Sequence, residues 1–307
     1  MQVATADDAL VSAVIPTRHR PKSLRQAVES ALMQTYPVTE VVVVMDGPDP
    51  LTESMLQAVN EPRIRRITLP SPVGASDARN AGVAAAHSEW IAFLDDDDEW
   101  LPHKIERQLA ALPHSHDDPI VSCRFIARTD SGDFIWPQRL PQPSEPVCEY
   151  LLARRGLRRN DGFIATPTIL TRRSLLCRVP FRSGLKKHQD WDWILRATKS
   201  GAQVLFCPEV LARCEMRTHT STSRSPDWRF SLKWIEENRA LVTRRAYSGF
   251  VTTHVAWQAA AQQEWRAFLP LLCHAGCRGS LAPADLLRYL GFWTVPGHAR
   301  RWLRRMP

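Results

Sequence analysis

The sequence predicts an open, mostly parallel α/β sheet flanked by helices and followed by a helical C-terminal extension. Three observations predict it. Over the first 112 residues, short apolar runs alternate with amphipathic stretches, the βαβα rhythm of a parallel sheet. One of these runs, Val41-Val42-Val43-Val44-Met45, is almost wholly β-branched, the pattern of a strand buried on both faces. From residue 227 the strand signals cease and apolar residues recur at helical spacing.

Taken in order, residues 10–15 read as a buried strand that Pro16 stops. Leu24, Ala27, Val28, Ala31 and Leu32 then fall at helical spacing, with Pro21 suited to the first turn. After the valine run, Asp46-Gly47-Pro48 turns the chain. A helix over 51–59, a strand over 64–69 and a helix over 74–86 opened by Gly74 follow. The strand over 90–94 runs directly into Asp95, Asp96, Asp97 and Asp98. Beyond Pro102, Ile105, Leu109 and Leu112 line one helix face.

From 113 to 185 the pattern loosens. Residues 120–127 and 162–170 carry strand signal, while four prolines between 137 and 146 exclude a helix and indicate a long mobile loop. A helix over 190–199 and short strands over 204–207 and 210–214 complete a first domain, 1–225. Trp228, Leu232, Ile235 and Val242 form one apolar stripe of a helical domain, 226–307, in which 255–272 is a second helical stretch.

Composition narrows the chemistry. Of 307 residues, 40 are Lys or Arg and 32 Asp or Glu, a formal charge of +8, which favours anionic partners. Nucleic acid is not expected as one, since it explains the charge but not four consecutive aspartates, and no recognised binding motif occurs. No apolar run approaches the roughly 20 residues of a membrane span, and MQVATADD does not resemble a secretory signal. Seven cysteines, an odd and sparse set, fit a reducing, cytoplasmic setting.

The chemistry-bearing residues follow strand ends, where open α/β sheets bind ligands. They are Pro16-Thr17-Arg18-His19-Arg20-Pro21, Asp46-Gly47, and the four aspartates. Like charges at that spacing repel, and a hard divalent ion with oxygen ligands, Mn²⁺ or Mg²⁺, relieves them; a solvated acidic loop is the competing reading. Gly74 and Ser76 suit a helix N-terminus open to anions, with Arg79 adding charge. In His188-Gln189-Asp190-Trp191-Asp192-Trp193, helical geometry sets Asp190 and Asp192 about 200° apart. Only one can face a given site, and a carboxylate beside Trp191 can act as a base with a raised pKa or simply cap the helix.

The succession VSAVIPTRHRP, VVVVMDG, GASDARNAGVAAAHSEWIAFLDDDDEWLP and HQDWDWILRA, over residues 10 to 220, resembles the family 2 glycosyltransferases of GT-A fold. The resemblance implies the nucleotide-diphospho-sugar transferase fold and an inverting, metal-dependent transfer of sugar from a nucleoside-diphosphate sugar to an acceptor hydroxyl. Pro16, Thr17 and Arg20 would lie beside the base, and Asp46 would contact it, normally uracil, which favours a UDP-sugar. Arg79 and Asn80 match the nucleotide-side ARN element, Asp96 would approach the ribose and diphosphate, Asp97 would ligate the metal, and Asp190 would be the general base. Met45, Arg18-His19 and Gln189 depart from the family pattern; Gln189 removes a negative neighbour of Asp190.

His219, in the polar stretch after the last strand, is a candidate metal ligand or part of an ordinary loop. In 299–306, Arg300, Arg301, Arg304 and Arg305 oppose Trp302, Leu303 and Met306. That segment is either a basic tail or an amphipathic helix on an anionic membrane surface, which would make the enzyme peripheral on the inner face of the cytoplasmic membrane. The resemblance implies a saccharide or lipid-linked saccharide acceptor. Two other classes compete. A nucleotidyltransferase would bring a glycine-rich triphosphate loop after the first strand, which 17–21 lacks, and a non-catalytic sugar-binding module would not need Asp190.

Overall fold

The computed structural model describes residues 9–112, 118–155, 162–217 and 226–294. The chain divides into two compact units, each described by itself. The first takes in residues 9–128, 133–136 and 164–217; the second takes in 129–132, 137–163 and the C-terminal helices.

The first unit opens with β1 (Val11–Thr17), α1 (Pro21–Leu32), β2 (Glu40–Met45), α2 (Pro50–Val59), β3 (Ile64–Thr68), α3 (Ala75–Ala85) and β4 (Trp90–Phe93). β1, β2 and β4 are buried along their whole length, as their unbroken apolar sequences require. α1 turns Leu24, Ala27, Val28 and Ala31 to the sheet and carries Pro21 in its first turn. α2 starts because Asp49 accepts the Thr52 amide at 3.2 Å, and it stops at Asn60, which adopts φ 47°. α3 lies so close to β1 and β2 that a Cβ on Gly82 would meet Val14 at 2.5 Å.

The chain continues through β5 (Glu99–Trp100), α4 (Lys104–Ala110), β6 (Pro119–Thr129), β7 (Gly132–Trp136) and α5 (Val147–Leu152). Then come β8 (Leu170–Arg172), α6 (Arg173–Arg178), α7 (Gln189–Lys199) and β9 (Gln203–Glu215). The sheet order is β3-β2-β1-β4-β8-β6-β9-β5, with β7 paired to β6. β3, β2, β1 and β4 are mutually parallel, and so are β6 and β9; β8 is antiparallel between β4 and β6. This is the mostly parallel sheet that the sequence predicts.

The strand order reverses beside β1. The chain moves outward through β2 and β3 and returns to β4 on the other flank of β1. Such a switch point leaves a crevice beyond the carboxyl ends of β1 and β4, where ligands bind in open sheets.

Four local expectations differ from the structure. Pro16 does not stop β1: pairing with β4 ends at Val14, so a residue without an N–H fits on a strand open on one flank. The two short strands at 204–207 and 210–214 are one strand, β9, whose register against β6 shifts beside Arg124. Residues 162–170 form mainly irregular chain and a 3₁₀ turn at Thr166–Thr168 before the short β8. The 255–272 helix is broken, with Gln263 at φ 59° and a 3₁₀ turn at Trp265–Ala267.

The second unit joins α5 to α8 (Trp228–Glu237), α9 (Arg244–Phe250), α10 (Ala256–Ala261), α11 (Phe268–Arg278) and α12 (Pro283–Thr294), with a π turn at Val251–Val255 between α9 and α10. α5 and α9 approach closely at Gly249, where a Cβ would stand 2.7 Å from the Ala153 Cα. Among the described residues no helix is long and apolar enough to cross a membrane.

Candidate active site

The carboxyl ends of β1 and β4 are tied together by side chains from both. Thr17 Oγ1 donates to Asp96 Oδ2 at 2.8 Å. Arg20 Nη1 donates to Asp96 Oδ1 at 3.0 Å and to Asp97 Oδ2 at 2.9 Å, bridging the two carboxylates. Burial and the charges of Asp95 and Asp96 push Asp97 up to about 6, against the pull of Arg20. Burial also raises Asp96, with Arg20 opposing it.

The remaining aspartates of the run face other ways. Asp95 Oδ1 accepts from Arg79 Nη2 at 2.6 Å. Asp98 is buried, accepts the Glu215 amide at 2.6 Å, and is held well above the ordinary carboxylate range by burial. Thus one acid of the four ties β4 to the end of β9, while Asp95, Asp96 and Asp97 stay at the switch point.

Arg79, 5% exposed on α3, carries the site to the N-terminus of α7. Its Nη1 donates to Gln189 Oε1 at 2.8 Å, and its Nε has no partner. Asp190 follows Gln189. Removal from water pushes Asp190 up to about 6, and Asp95 acts in the same direction; the Trp191 amide, bonded to Oδ1 at 2.9 Å, and Arg79 pull it down. Burial thus outweighs the charge that Gln189 fails to supply. Asp192 points away, as a 200° separation demands. It is fully buried, with Oδ2 accepting from Arg196 Nε at 2.8 Å and Oδ1 lying 3.3 Å from Arg182 Nη2.

Pro16, Thr17, Arg20, Asp96 and Asp97 are therefore assembled in one place, and Arg79, Asp95, Gln189 and Asp190 form a chain leading from it. Asp46 sits at the end of β2 with its oxygens accepting the Val73 and Gly74 amides at 2.6 and 3.0 Å, so it shapes the entry to α3. Asn80 turns to Phe181, whose carbonyl and amide it binds at 2.8 and 2.9 Å. His219 and the 299–306 segment lie outside the described residues. Sequence reading missed Gln189 as a partner of Arg79 and Asp95 as the link between Arg79 and the acidic run. No local signal marks a contact between residues 110 positions apart.

The donor chemistry at the end of β4 fits a divalent ion of the kind the fold family employs. Among the described residues no three His, Cys, Asp or Glu side chains converge as a metal cage. Hard ions that bind one or two carboxylates together with substrate phosphates need no such cage. Asp97 keeps 22% of its side chain open and is repelled by Asp95 and Asp96, which Arg20 opposes and a further cation would relieve.

The sheet order is that of the GT-A fold. The chain belongs to glycosyl transferase family 2, whose family model matches residues 12–179. The amylovoran biosynthesis glycosyltransferase AmsB of Erwinia amylovora is 25% identical over 249 residues, covering 78% of this chain and 80% of its own. The Escherichia coli UDP-Glc:α-D-GlcNAc-diphosphoundecaprenol β-1,3-glucosyltransferase WfgD is 30% identical over 136 residues, 44% of this chain and 54% of its own. The mannosyltransferase PcManGT of Pyrobaculum calidifontis, solved with GDP-Man and Mn²⁺, shares the fold at a TM-score of 0.59 and 16% identity, over 99% of this chain and 86% of its own.

Proposed function

We propose that the chain is an inverting, metal-dependent glycosyltransferase. It takes a sugar from a nucleoside-diphosphate sugar, with UDP as the preferred nucleotide, and joins it to a hydroxyl of a saccharide or lipid-linked saccharide in cell-surface polysaccharide or glycolipid assembly. The observation that carries the reading is Asp190, a carboxylate raised to about 6 and linked through Gln189, Arg79 and Asp95 to the acidic end of β4. Such a group is ionised at neutral pH yet basic enough to take a proton.

In the proposed reaction the acceptor hydroxyl gives its proton to Asp190 as its oxygen bonds to the anomeric carbon. The bond from that carbon to the diphosphate breaks on the opposite face, which inverts the configuration. Asp97 would hold a Mn²⁺ or Mg²⁺, which would supply charge neutralisation at the leaving group. Arg79 holds the Asp190 segment by way of Gln189, and Arg20 and Thr17 fix the orientation of Asp96. The seat of the base is assigned to Pro16 and Asp46.

Support for the donor and acceptor classes comes from relatives. WfgD is named for UDP-Glc and a diphosphoundecaprenol-linked acceptor, and AmsB for amylovoran biosynthesis. The reading puts the enzyme on the cytoplasmic side, at the inner face of the membrane that carries such acceptors. Calorimetric titration with UDP, GDP, dTDP and CDP, with and without Mn²⁺, tests it on the wild type and Asp97→Asn. Binding of UDP that needs the metal and is lost in the variant is the expected result. A chain that binds no nucleotide with metal present, or an Asp97→Asn variant that binds as the wild type does, would overturn it.

A further inference from the structure

A cation already stands on the acidic end of β4, and it belongs to the chain. A single nitrogen of Arg20, Nη1, donates to Asp96 Oδ1 at 3.0 Å and to Asp97 Oδ2 at 2.9 Å. Arginine binds a carboxylate most strongly through two parallel N–H···O bonds to that one group. Here one nitrogen is shared between two carboxylates, as a point cation is shared. The two oxygens that a hard divalent ion would seek are therefore both turned to the same guanidinium nitrogen.

Local structure fixes the Arg20 backbone more firmly than its head group. The Arg20 carbonyl accepts the Leu24 amide at 3.0 Å, the first bond of α1, and the preceding His19 amide donates to Asp49 Oδ2 at 2.9 Å. The side chain itself is 38% exposed and makes no capping bond to α1. A cation at that end of a helix faces the positive end of its dipole, so the pull on the guanidinium comes from the carboxylates across the crevice. Those two differ in what holds them. Asp96 also accepts from Thr17 Oγ1 at 2.8 Å, whereas Asp97 is the more open of the pair. The contested atom is Asp97 Oδ2.

We propose that Arg20 competes with the divalent ion for Asp97, so that the guanidinium has to leave Asp97 Oδ2 before the ion can load. This rests on the assignment of Asp97 as metal ligand made above. Two cations a few ångströms apart on one carboxylate repel each other, so Arg20 keeps the affinity of the site for free metal low.

The test is Mn²⁺ binding by the full chain without nucleotide, followed by the loss of the free-ion paramagnetic resonance signal at pH 8, well above the value of about 6 for Asp97. Arg20→Gln is expected to bind Mn²⁺ about tenfold more tightly than the wild type, the scale of one charge-assisted bond. Arg20→Met, which keeps the aliphatic stem, repeats the measurement if the glutamine variant does not fold. Arg25→Gln removes the same charge from an exposed pair with Glu29 and is expected to change nothing. The gain should disappear in Arg20→Gln/Asp97→Asn. A second readout follows the guanidinium itself: the Nε–H resonance that Arg20→Gln lacks is expected to shift when Mg²⁺ is added to the wild type, and to stay in place in Asp97→Asn.

Equal Mn²⁺ binding by the wild type and Arg20→Gln, with loss in Asp97→Asn, overturns the competition and leaves the metal ligand standing. Binding that Asp97→Asn does not weaken overturns the ligand assignment and the competition with it. An absence of binding in both the wild type and Arg20→Gln overturns the competition alone, because the nucleotide titration above then judges the metal ligand separately.

Discussion

Protonating Asp190 should switch the enzyme off with a steepness set by its own site. Burial raises this carboxylate to about 6, and only the ionised form can accept the acceptor's proton. It is then about nine-tenths ionised at pH 7, half at pH 6 and roughly one-tenth at pH 5, so kcat should fall about tenfold from pH 7 to pH 5. Asp190→Asn should lower kcat by about 10²–10⁴ and abolish that acid limb. Arg79→Gln removes a cation that pulls Asp190 down, so the limb should move up by about one pH unit, equivalent to about 1.4 kcal/mol. Arg79 also orients Gln189, so the position of the limb, not the absolute rate, is the diagnostic. The assay is release of nucleoside diphosphate at saturating donor, acceptor and metal across pH 5–8. An acid limb that survives in Asp190→Asn, or moves down in Arg79→Gln, would refute the assignment.

Asp190→Asn should also raise the unfolding free energy measured in urea at pH 7, by about 1–2 kcal/mol, because the folded state binds its proton more tightly than the unfolded chain and the ionised form therefore opposes folding there; the effect should vanish as the pH falls below about 4. Gly82→Ala should destabilise by about 1–2 kcal/mol in urea unfolding, since crowding Val14 costs about 1–3 kcal/mol and better helix propensity returns about 0.5–1. Asp192→Asn should cost about 1–3 kcal/mol by leaving Arg182 and Arg196 without their shared anion, while kcat per folded molecule is kept, the reverse of Asp190→Asn. Lys104, fully buried over the Trp100 ring, is pushed down to about 8 by burial. The unfolded chain binds more protons than the folded one between pH 8 and 10.5, so Lys104 contributes a rise in stability with pH that Lys104→Met should remove from the difference in urea midpoints.

Most of the parallel half of the sheet was legible because β1, β2 and β4 are apolar on both faces and two of its helices are marked by Pro21 and Gly74, which act within a few residues. The antiparallel β8 was not. Its three residues carry little strand signal, and what holds them is the pairing with β4 and β6. The break at 262–267 was hidden by apolar residues that continue at helical spacing on both sides of it. In the site, the acidic run and the Asp190 segment could be found from residue type and position after a strand or before a helix. Their partners could not: Arg20 binds Asp96 and Asp97 from 76 and 77 residues away, and Asn80 spends its amide on Phe181.

By itself the sequence determined the fold class and the places where chemistry could occur, because periodic burial and turn residues are local codes that each segment carries alone. The tertiary structure decided how the four aspartates divide their work. Asp95 goes to Arg79, Asp96 and Asp97 to Arg20, and Asp98 to the Glu215 amide. It also decided that Asp190 is raised although a glutamine precedes it. Both depend on which charges and how much water lie within a few ångströms, and those distances exist only once residues far apart in the chain are brought together.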